Sequence, residues 1–508
     1  MKNVPSLVIP SVARNRALFP AFQSEIPRYA RNDKTGNEPI GMFEFTAQKL
    51  VYGGDALGYH QGRTVLVPRA LPGERLEIEE VRTAKGVVHA RPVRVLAASP
   101  ERVEAPCPYF GRCGGCQYQH LAAERQTAYK RDILRETLRR LGRIAWEGDI
   151  PVHAASAWNY RNQAAFKVGR GAGLKPGATS SEDGKIALGF FEAESHRLFP
   201  IDACLILSPR LNAILAELLK ADWAGQLASF SEIELAADDR DENVRMTLDA
   251  SRNGRHAGVA PSYGECEKLA GECLARLPGV VSVAIKRGRH LRVFGKQAIC
   301  YAVGDFRYQV SAGSFFQASR YLVNDLVAAV TAGPSGPGQP DGPDGPDGPN
   351  GPDRLARESP ARGALALDLY AGVGLFTLPL ARGFDRVIGV EGNPHSAADL
   401  KANAEAHGLS NVRTVGDSAF DFLRRFAQTG PDLVVLDPPR AGVGFPALKL
   451  LAVIAPQRVH YVSCHPPTLA RDLAFLIEHG YRLDSVDLFD FFPQTFHIES
   501  LAKLSRLL

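Results

Sequence analysis

The sequence predicts a multidomain α/β protein: an N-terminal OB-like β-barrel, a central α+β domain with a four-cysteine cluster, and a C-terminal Rossmann-like domain. Three observations predict it. Short β-like runs between Gly-rich turns fill residues 42–98. Three cysteines fall between Cys107 and Cys116. Strand-like and helical patterns alternate through residues 355–508, the mark of a parallel, doubly wound sheet. At 508 residues the chain exceeds one core, and its 45% hydrophobic and 23% charged content is ordinary for a globular protein.

Composition also excludes classes. No run nears the length of an apolar membrane span, so no membrane partner is expected. Eight cysteines in so long a chain do not form a secreted disulfide framework, and a reducing, cytoplasmic setting is expected. The net charge of +5 permits a nucleic-acid partner without arguing for one. Residues 1–41 carry Arg14, Arg16, Arg28 and Arg31 without a long apolar stretch, and read as a disordered basic arm.

In the barrel, the runs Phe43–Val51, Arg63–Val67, Arg75–Val81 and Val87–Val95 are separated by turns such as Tyr52-Gly53-Gly54. They suit a five-stranded barrel of the kind that binds oligonucleotides. Lys49, Tyr52, Tyr59, His60, Arg63, Arg69, Arg82 and Lys85 mix positive charge with aromatics, as phosphate pairing and base stacking require. An ordinary solvated surface would read the same way.

The central domain, residues 99–320, opens on Cys107-Pro108-Tyr109-Phe110-Gly111-Arg112-Cys113-Gly114-Gly115-Cys116. The glycine pair allows the tight backbone that gathers thiolates, and Cys204 is the best fourth ligand. Four thiolates suit zinc or an iron–sulfur cluster. Cys266, Cys273 and Cys300 sit in apolar patterns and read as core. Tyr118 to Leu141 is an amphipathic helix stopped by Gly142. Residues 171–185 form a polar loop, and Arg161 and Lys167 could meet phosphate. Residues 333–354 are Gly-Pro-Asp repeats, a disordered insertion expected to be removable.

The C-terminal strands are read at Ala364–Leu369, Arg386–Glu391, Asn411–Val415, Asp432–Leu436, Arg458–Val462 and Tyr481–Leu488. The first leads into Asp368-Leu369-Tyr370-Ala371-Gly372-Val373-Gly374, a turn that lets backbone approach a nucleotide-like ligand. Glu391 can take both ribose hydroxyls, and Asp417 can reach an adenine amine. Three acids at successive strand ends would repel a diphosphate, so S-adenosylmethionine fits better than NAD. The fourth strand ends in Asp437-Pro438-Pro439-Arg440, and the fifth at Cys464, before a helix from Thr468 to His479.

Alone, Cys464 reads as a small core residue. Beside a carboxylate and a methyl donor it reads as a nucleophile. Carbon 5 of uracil attacks a sulfonium methyl only after a thiolate adds to carbon 6. A base must then take the carbon-5 proton; Glu499 is the candidate and His497 its rival.

These residues resemble the RNA uracil-5-methyltransferase family, in particular its 23S ribosomal RNA branch, from Phe43 to Leu508. Cys-x5-Cys-Gly-Gly-Cys, Asp368-x-Tyr-x-Gly-x-Gly, Asp-Pro-Pro-Arg-Ala-Gly (437–442), Ser463-Cys464 and Phe-Pro…His-x-Glu occur in its order. The resemblance implies a TRAM-type barrel and a [4Fe–4S] site on Cys107, Cys113, Cys116 and Cys204. It implies Cys464 as nucleophile, Glu499 as base and Asp437 as a contact to the target base. It also implies that Gln317, Asp368, Tyr370, Gly372, Gly374, Glu391, Asp417 and Asp437 line the cofactor site. Ser319, His465 and Gln494 depart from its usual Asn, Asn and His. The expected protein is a cytoplasmic, monomeric RNA methyltransferase acting on 23S rRNA and not on DNA. The same chemistry on a tRNA uridine, an amine or cytosine-5 methyltransferase, and a non-catalytic RNA-binding protein are the alternatives.

Overall fold

The computed structural model describes residues 41–170, 186–220, 223–250, 261–332, 363–428 and 430–507. The arm up to residue 40, the polar loop 171–185 and the insertion at 333–354 lie outside the described residues.

The N-terminal β-region has six strands, one more than expected. Met42–Thr46 and Lys49–Leu50 divide the first predicted run, and Asp55–His60 is a strand the sequence reading missed. Arg63–Pro68, Arg75–Ala84 and Val87–Ala97 complete it. Pairing runs from Met42–Thr46 through Arg75–Ala84, Val87–Ala97, Arg63–Pro68 and Asp55–His60 to Lys49–Leu50. Gly58 explains how the sheet curls: a Cβ there would lie 2.4 Å from Thr46 O and 2.6 Å from the Phe45 ring.

Helix Ala123–Leu141 leaves this region with Ile133, Leu134 and Leu138 buried. Those residues share one apolar core with Phe45 and Val65 of the β-region and with Leu367, Leu469 and Leu473 of the C-terminal part. The helix is therefore the wedge between them. The central part is a seven-stranded sheet, from Leu198–Pro200 at one edge to His290–Gly295 at the other, with its own core around Trp223 and Phe166. Cys266 and Cys273 belong to that core as expected, whereas Cys300 is exposed.

The C-terminal sheet has eight strands in the order Val412–Val415, Phe384–Val390, Gly363–Leu369, Leu433–Leu436, Arg458–Ser463, Glu499–Arg506, Tyr481–Phe489 and Val152–His153. The first five run parallel, as alternation predicts. Glu499–Arg506 enters antiparallel to both neighbours, so the sheet is mixed. Leu365, Leu367 and Leu369 face one core and Ala366 the other, the period-two pattern of a strand covered on both sides. Pro394–Ala406, Val323–Thr331 and Thr377–Gly383 pack on one face; Ala419–Arg425, Phe445–Ile454 and Pro466–Glu478 pack on the other. Chain order reverses between Gly363–Leu369 and Leu433–Leu436, and the crevice beyond their carboxyl ends is where such sheets bind ligands.

Candidate active site

Strand register builds the site. Ser463 pairs with Ser500 across antiparallel strands, so Cys464, the residue after Ser463, and Glu499, the residue before Ser500, come out side by side. The Ser500 hydroxyl donates to Ser463 O at 3.1 Å and fixes that register. His465 caps helix Pro466–Glu478, its Nδ1 accepting from the Thr468 N–H at 3.3 Å, and Pro466 presets the first turn. The helix starts two residues before the expected one.

Asp437 follows Leu433–Leu436, and the loop after it is clamped. The buried Asp472 carboxylate accepts from Val443 N–H at 2.9 Å and from the Tyr461 hydroxyl at 2.8 Å. Thr468 donates to Arg440 O at 3.1 Å. Arg440 itself hydrogen-bonds the Cys464 thiol and lies 3.2 Å from His497 Nδ1. Arg440 is thus a cation of the site.

The electrostatics follow from burial. Cys464 is pushed up to about 12, first by burial and then by Glu499, with Arg440 opposing. Burial and Asp437 hold Glu499 well above the usual carboxylate range, again against Arg440. Asp437 is pushed up to about 7 by burial, Asp368 and Glu391. His497 is held well below its usual value by burial and Arg440, so its ring is neutral and a weak base.

Along the crevice, Gly372 N–H donates to Glu391 Oε2 at 2.8 Å and Asn393 N–H to Glu391 Oε1 at 2.6 Å. Asp368 is fully buried and raised to about 7; one oxygen takes the Thr377 hydroxyl and the other has no hydrogen-bond partner among the described residues. Tyr370, Gly372 and Gly374 have φ of 68°, 55° and 97°. A Cβ on Gly372 would meet nothing within 4 Å, so the turn borders open space, while one on Gly374 would strike Leu400 at 2.5 Å. Gln317 is buried at the end of a segment tied to the same side, where Ser311 and Ser314 hydroxyls both donate to Asp399 at 2.6 Å. Asp417 is engaged by Arg425 in an ion pair the sequence reading did not foresee. The orphaned Asp368 oxygen, the open glycine turn and a cluster of acids raising one another suit a cationic adenosine ligand.

All four candidate metal-ligating cysteines are free thiols. Cys113 is pushed up to about 11 and Cys116 to about 12, by burial first and by neighbouring thiols, with Cys204 and Cys107 acting on both. Burial also raises Cys204. The thiols thus lie close enough to raise one another. Among the described residues, no group of three or more His, Cys, Asp or Glu side chains is arranged to hold a single metal ion. The cysteine segment is wired to the active site: Gln117 and Tyr118 N–H donate to Gln494 O at 2.9 and 3.0 Å, and Phe496 N–H donates to Gln117 Oε1 at 3.4 Å. Arg161 acts electrostatically on Cys113, Cys204 and His497 alike.

Strand order, the reversed last strand and the acid-lined crevice define a methyltransferase. The profile of the tRNA (Uracil-5-)-methyltransferase family matches residues 359–507. The 23S rRNA (uracil(1939)-C(5))-methyltransferase RlmD of Alkalilimnicola ehrlichii is 32% identical over 490 residues, covering 92% of this chain and 97% of its own. An RNA methyltransferase of Aquifex aeolicus is 32% identical over 468 residues, covering 91% and 98%. The tRNA (uracil-54, C5)-methyltransferase of Pyrococcus abyssi, solved with S-adenosyl-L-homocysteine, shares the fold: TM-score 0.61, 24% identity, 91% of this chain and 100% of that one. The chain belongs to the RNA uracil-5-methyltransferase family, whose members are S-adenosylmethionine-dependent enzymes.

Proposed function

We propose that this enzyme methylates carbon 5 of one uridine in 23S rRNA through a covalent adduct between Cys464 and carbon 6. The observation that carries the reading is the side-by-side placement of Cys464 and Glu499, with Arg440 on the thiol and Asp437 at the adjoining strand end. Once the thiol has lost its proton, Cys464 Sγ bonds to carbon 6 and the ring electrons move toward carbon 5 and O4. S-adenosylmethionine supplies the electrophilic methyl. Glu499, ionised, takes the proton from carbon 5; the carbon-6 to sulfur bond breaks and the thiolate returns. Arg440 favours the thiolate at both ends of the cycle. His497 is a weaker base than Glu499, because its neutral form is the one burial favours. Asp437 contacts the target base, and Gln317, Asp368, Tyr370, Gly372, Gly374, Glu391, Asp417 and Asp437 line the cofactor crevice. Asp417 reaches adenine by exchanging its Arg425 partner.

The domains divide at 42–98 for a TRAM-type RNA-binding barrel, 99–320 for the central domain and 355–508 for the methyltransferase domain. Cys107, Cys113, Cys116 and Cys204 hold a [4Fe–4S] cluster. Tetrahedral zinc needs thiolates about 3.8 Å apart, set by its ~2.3 Å bonds, whereas a four-iron cluster spans more. Burial and neighbouring thiols raise Cys113 and Cys116, so a bound group that takes them as thiolates would offset that cost. Its work is to fix the segment from Cys116 to Gln117 against the loop that leads to Glu499.

The family relative that names 23S rRNA favours that substrate; the solved neighbour names a tRNA. Mapping 5-methyluridine in both RNAs from cells lacking the protein decides. Loss at one 23S position supports the reading. Loss confined to tRNA, or no loss, overturns the assignment to 23S rRNA.

A further inference from the structure

The turn Tyr52-Gly53-Gly54 is pressed against the catalytic loop. Val51 N–H bonds Asp55 O at 2.9 Å and Gly54 N–H bonds Val51 O at 3.2 Å. The glycines sit at φ 113° and 97°, where a side chain would be strained. A Cβ on Gly54 would come within 3.0 Å of Gln117 Cβ and 3.4 Å of Phe496 Cβ. The turn cannot be a loose loop, and its packing sends Tyr52 inward.

Tyr52 lies edge-on to His465 at 5.3 Å and to Phe496 at 5.4 Å between ring centroids. Its hydroxyl is within electrostatic reach of Arg440, Cys464 and Glu499. That oxygen is buried and has no hydrogen-bond partner among the described residues. Leaving a buried hydroxyl unpaired is costly, and such groups in a site call for a ligand that pairs with them. Nothing in the mechanism above uses it.

We propose that Tyr52 forms a wall of the target-base pocket and donates a hydrogen bond to a carbonyl oxygen of the uracil ring, making the N-terminal β-region part of the active site. The inference rests on the uracil reading. Burial keeps the phenol protonated, so it is a donor throughout the reaction. A carbonyl oxygen of the ring is its complement, and O4 gains negative charge when sulfur bonds to carbon 6. A fixed donor aimed there binds the adduct more tightly than the free base. The arrangement also makes the pocket incomplete unless the β-region is docked on the C-terminal sheet.

Tyr52→Phe removes only the oxygen and keeps the ring contacts. The measurement is single-turnover methylation of unmodified ribosomal and transfer RNA, isolated from cells lacking the protein, with labelled S-adenosylmethionine. The expected loss in methylation rate at saturating RNA is about 100-fold, as for one donor to a developing oxyanion. Cofactor Kd should stay unchanged, the thermal midpoint should not fall, and KM for RNA should move far less than kcat. A Tyr52→Phe enzyme within twofold of the parent overturns the proposal, and so does an equal loss in cofactor binding, which would mark a structural role. Cys464→Ala, assayed alongside, separates the failures. Full activity there overturns the uracil reading itself; an inactive Cys464→Ala beside a normal Tyr52→Phe overturns only the role of Tyr52.

Discussion

The guanidinium of Arg440 hydrogen-bonds the thiol of Cys464 in a pocket where burial and two carboxylates push that thiol up to about 12. The arginine opposes that rise and favours the thiolate, and it is steadied by the neutral His497 ring 3.2 Å away. Arg440→Ala should lower kcat about 100-fold or more, as expected for a lost charge-assisted bond of about 3 kcal/mol. Arg440→Lys should recover only part of it, because a point charge cannot serve the thiol and His497 together. Rapid-quench methyl transfer checks this. An Arg440→Ala enzyme at full rate would remove arginine from the account.

The pH dependence has a definite sign. Cys464 is pushed up to about 12 and Glu499 is raised with it, so the thiol is protonated, and inactive, at neutral pH. Activity therefore grows as pH rises. The ratio kcat/KM should climb between about pH 6 and pH 9, by about tenfold per unit wherever one proton must leave. A flat profile would contradict the assigned ionisations.

The crevice acids give an independent test. Asp368 and Asp437 are raised to about 7 in the folded protein. The stability they contribute is complete below about pH 4, the range in which these acids titrate in the unfolded chain, and is lost as pH rises through about 7. A cationic ligand reverses that loss, because it favours the ionised forms. The thermal shift given by S-adenosylmethionine should be larger at about pH 8 than at about pH 5.5, with proton release on binding. An equal shift at both would contradict the charge-pairing role.

Lys130 of helix Ala123–Leu141 is buried against Asp490 at 2.6 Å and Phe492 O at 2.9 Å. It anchors the loop that leads to Glu499. Lys130→Ala leaves a buried carboxylate unpaired and should cost about 3–5 kcal/mol. The pair Lys130→Met with Asp490→Leu should restore much of that in a denaturant titration. No recovery in the pair would show that the ion pair does more than balance its own burial.

Anaerobically prepared protein should be brown, absorb near 400 nm on the order expected for an iron–sulfur chromophore, and lose iron on Cys204→Ser. Stoichiometric zinc without iron would overturn the cluster assignment.

Much of the C-terminal domain was legible because it is locally encoded. Period-two strands, the glycine turn after Asp368 and the break at Cys464 all lie within short windows. What escaped depends on distant pairing. Glu499–Arg506 carries Lys503 and Ser505 among its apolar residues and declares itself only by inserting between two other strands. Arg440 could not be placed until the Asp472 clamp folded its loop toward Cys464. Tyr52 reads as one of several aromatics among surface charges, and no local pattern reveals that its turn packs on Phe496. Asp417 was read from position alone, which cannot anticipate Arg425.

The central claim is the covalent route through Cys464, and the most direct measurement is the RNA adduct in the Glu499→Gln enzyme. With Glu499 unable to take the carbon-5 proton, methyl should still transfer and a denaturant-stable enzyme–RNA complex should accumulate, absent when Cys464→Ala is added. Turnover that survives in Cys464→Ala, or a Glu499→Gln enzyme that forms no such complex, would contradict the account.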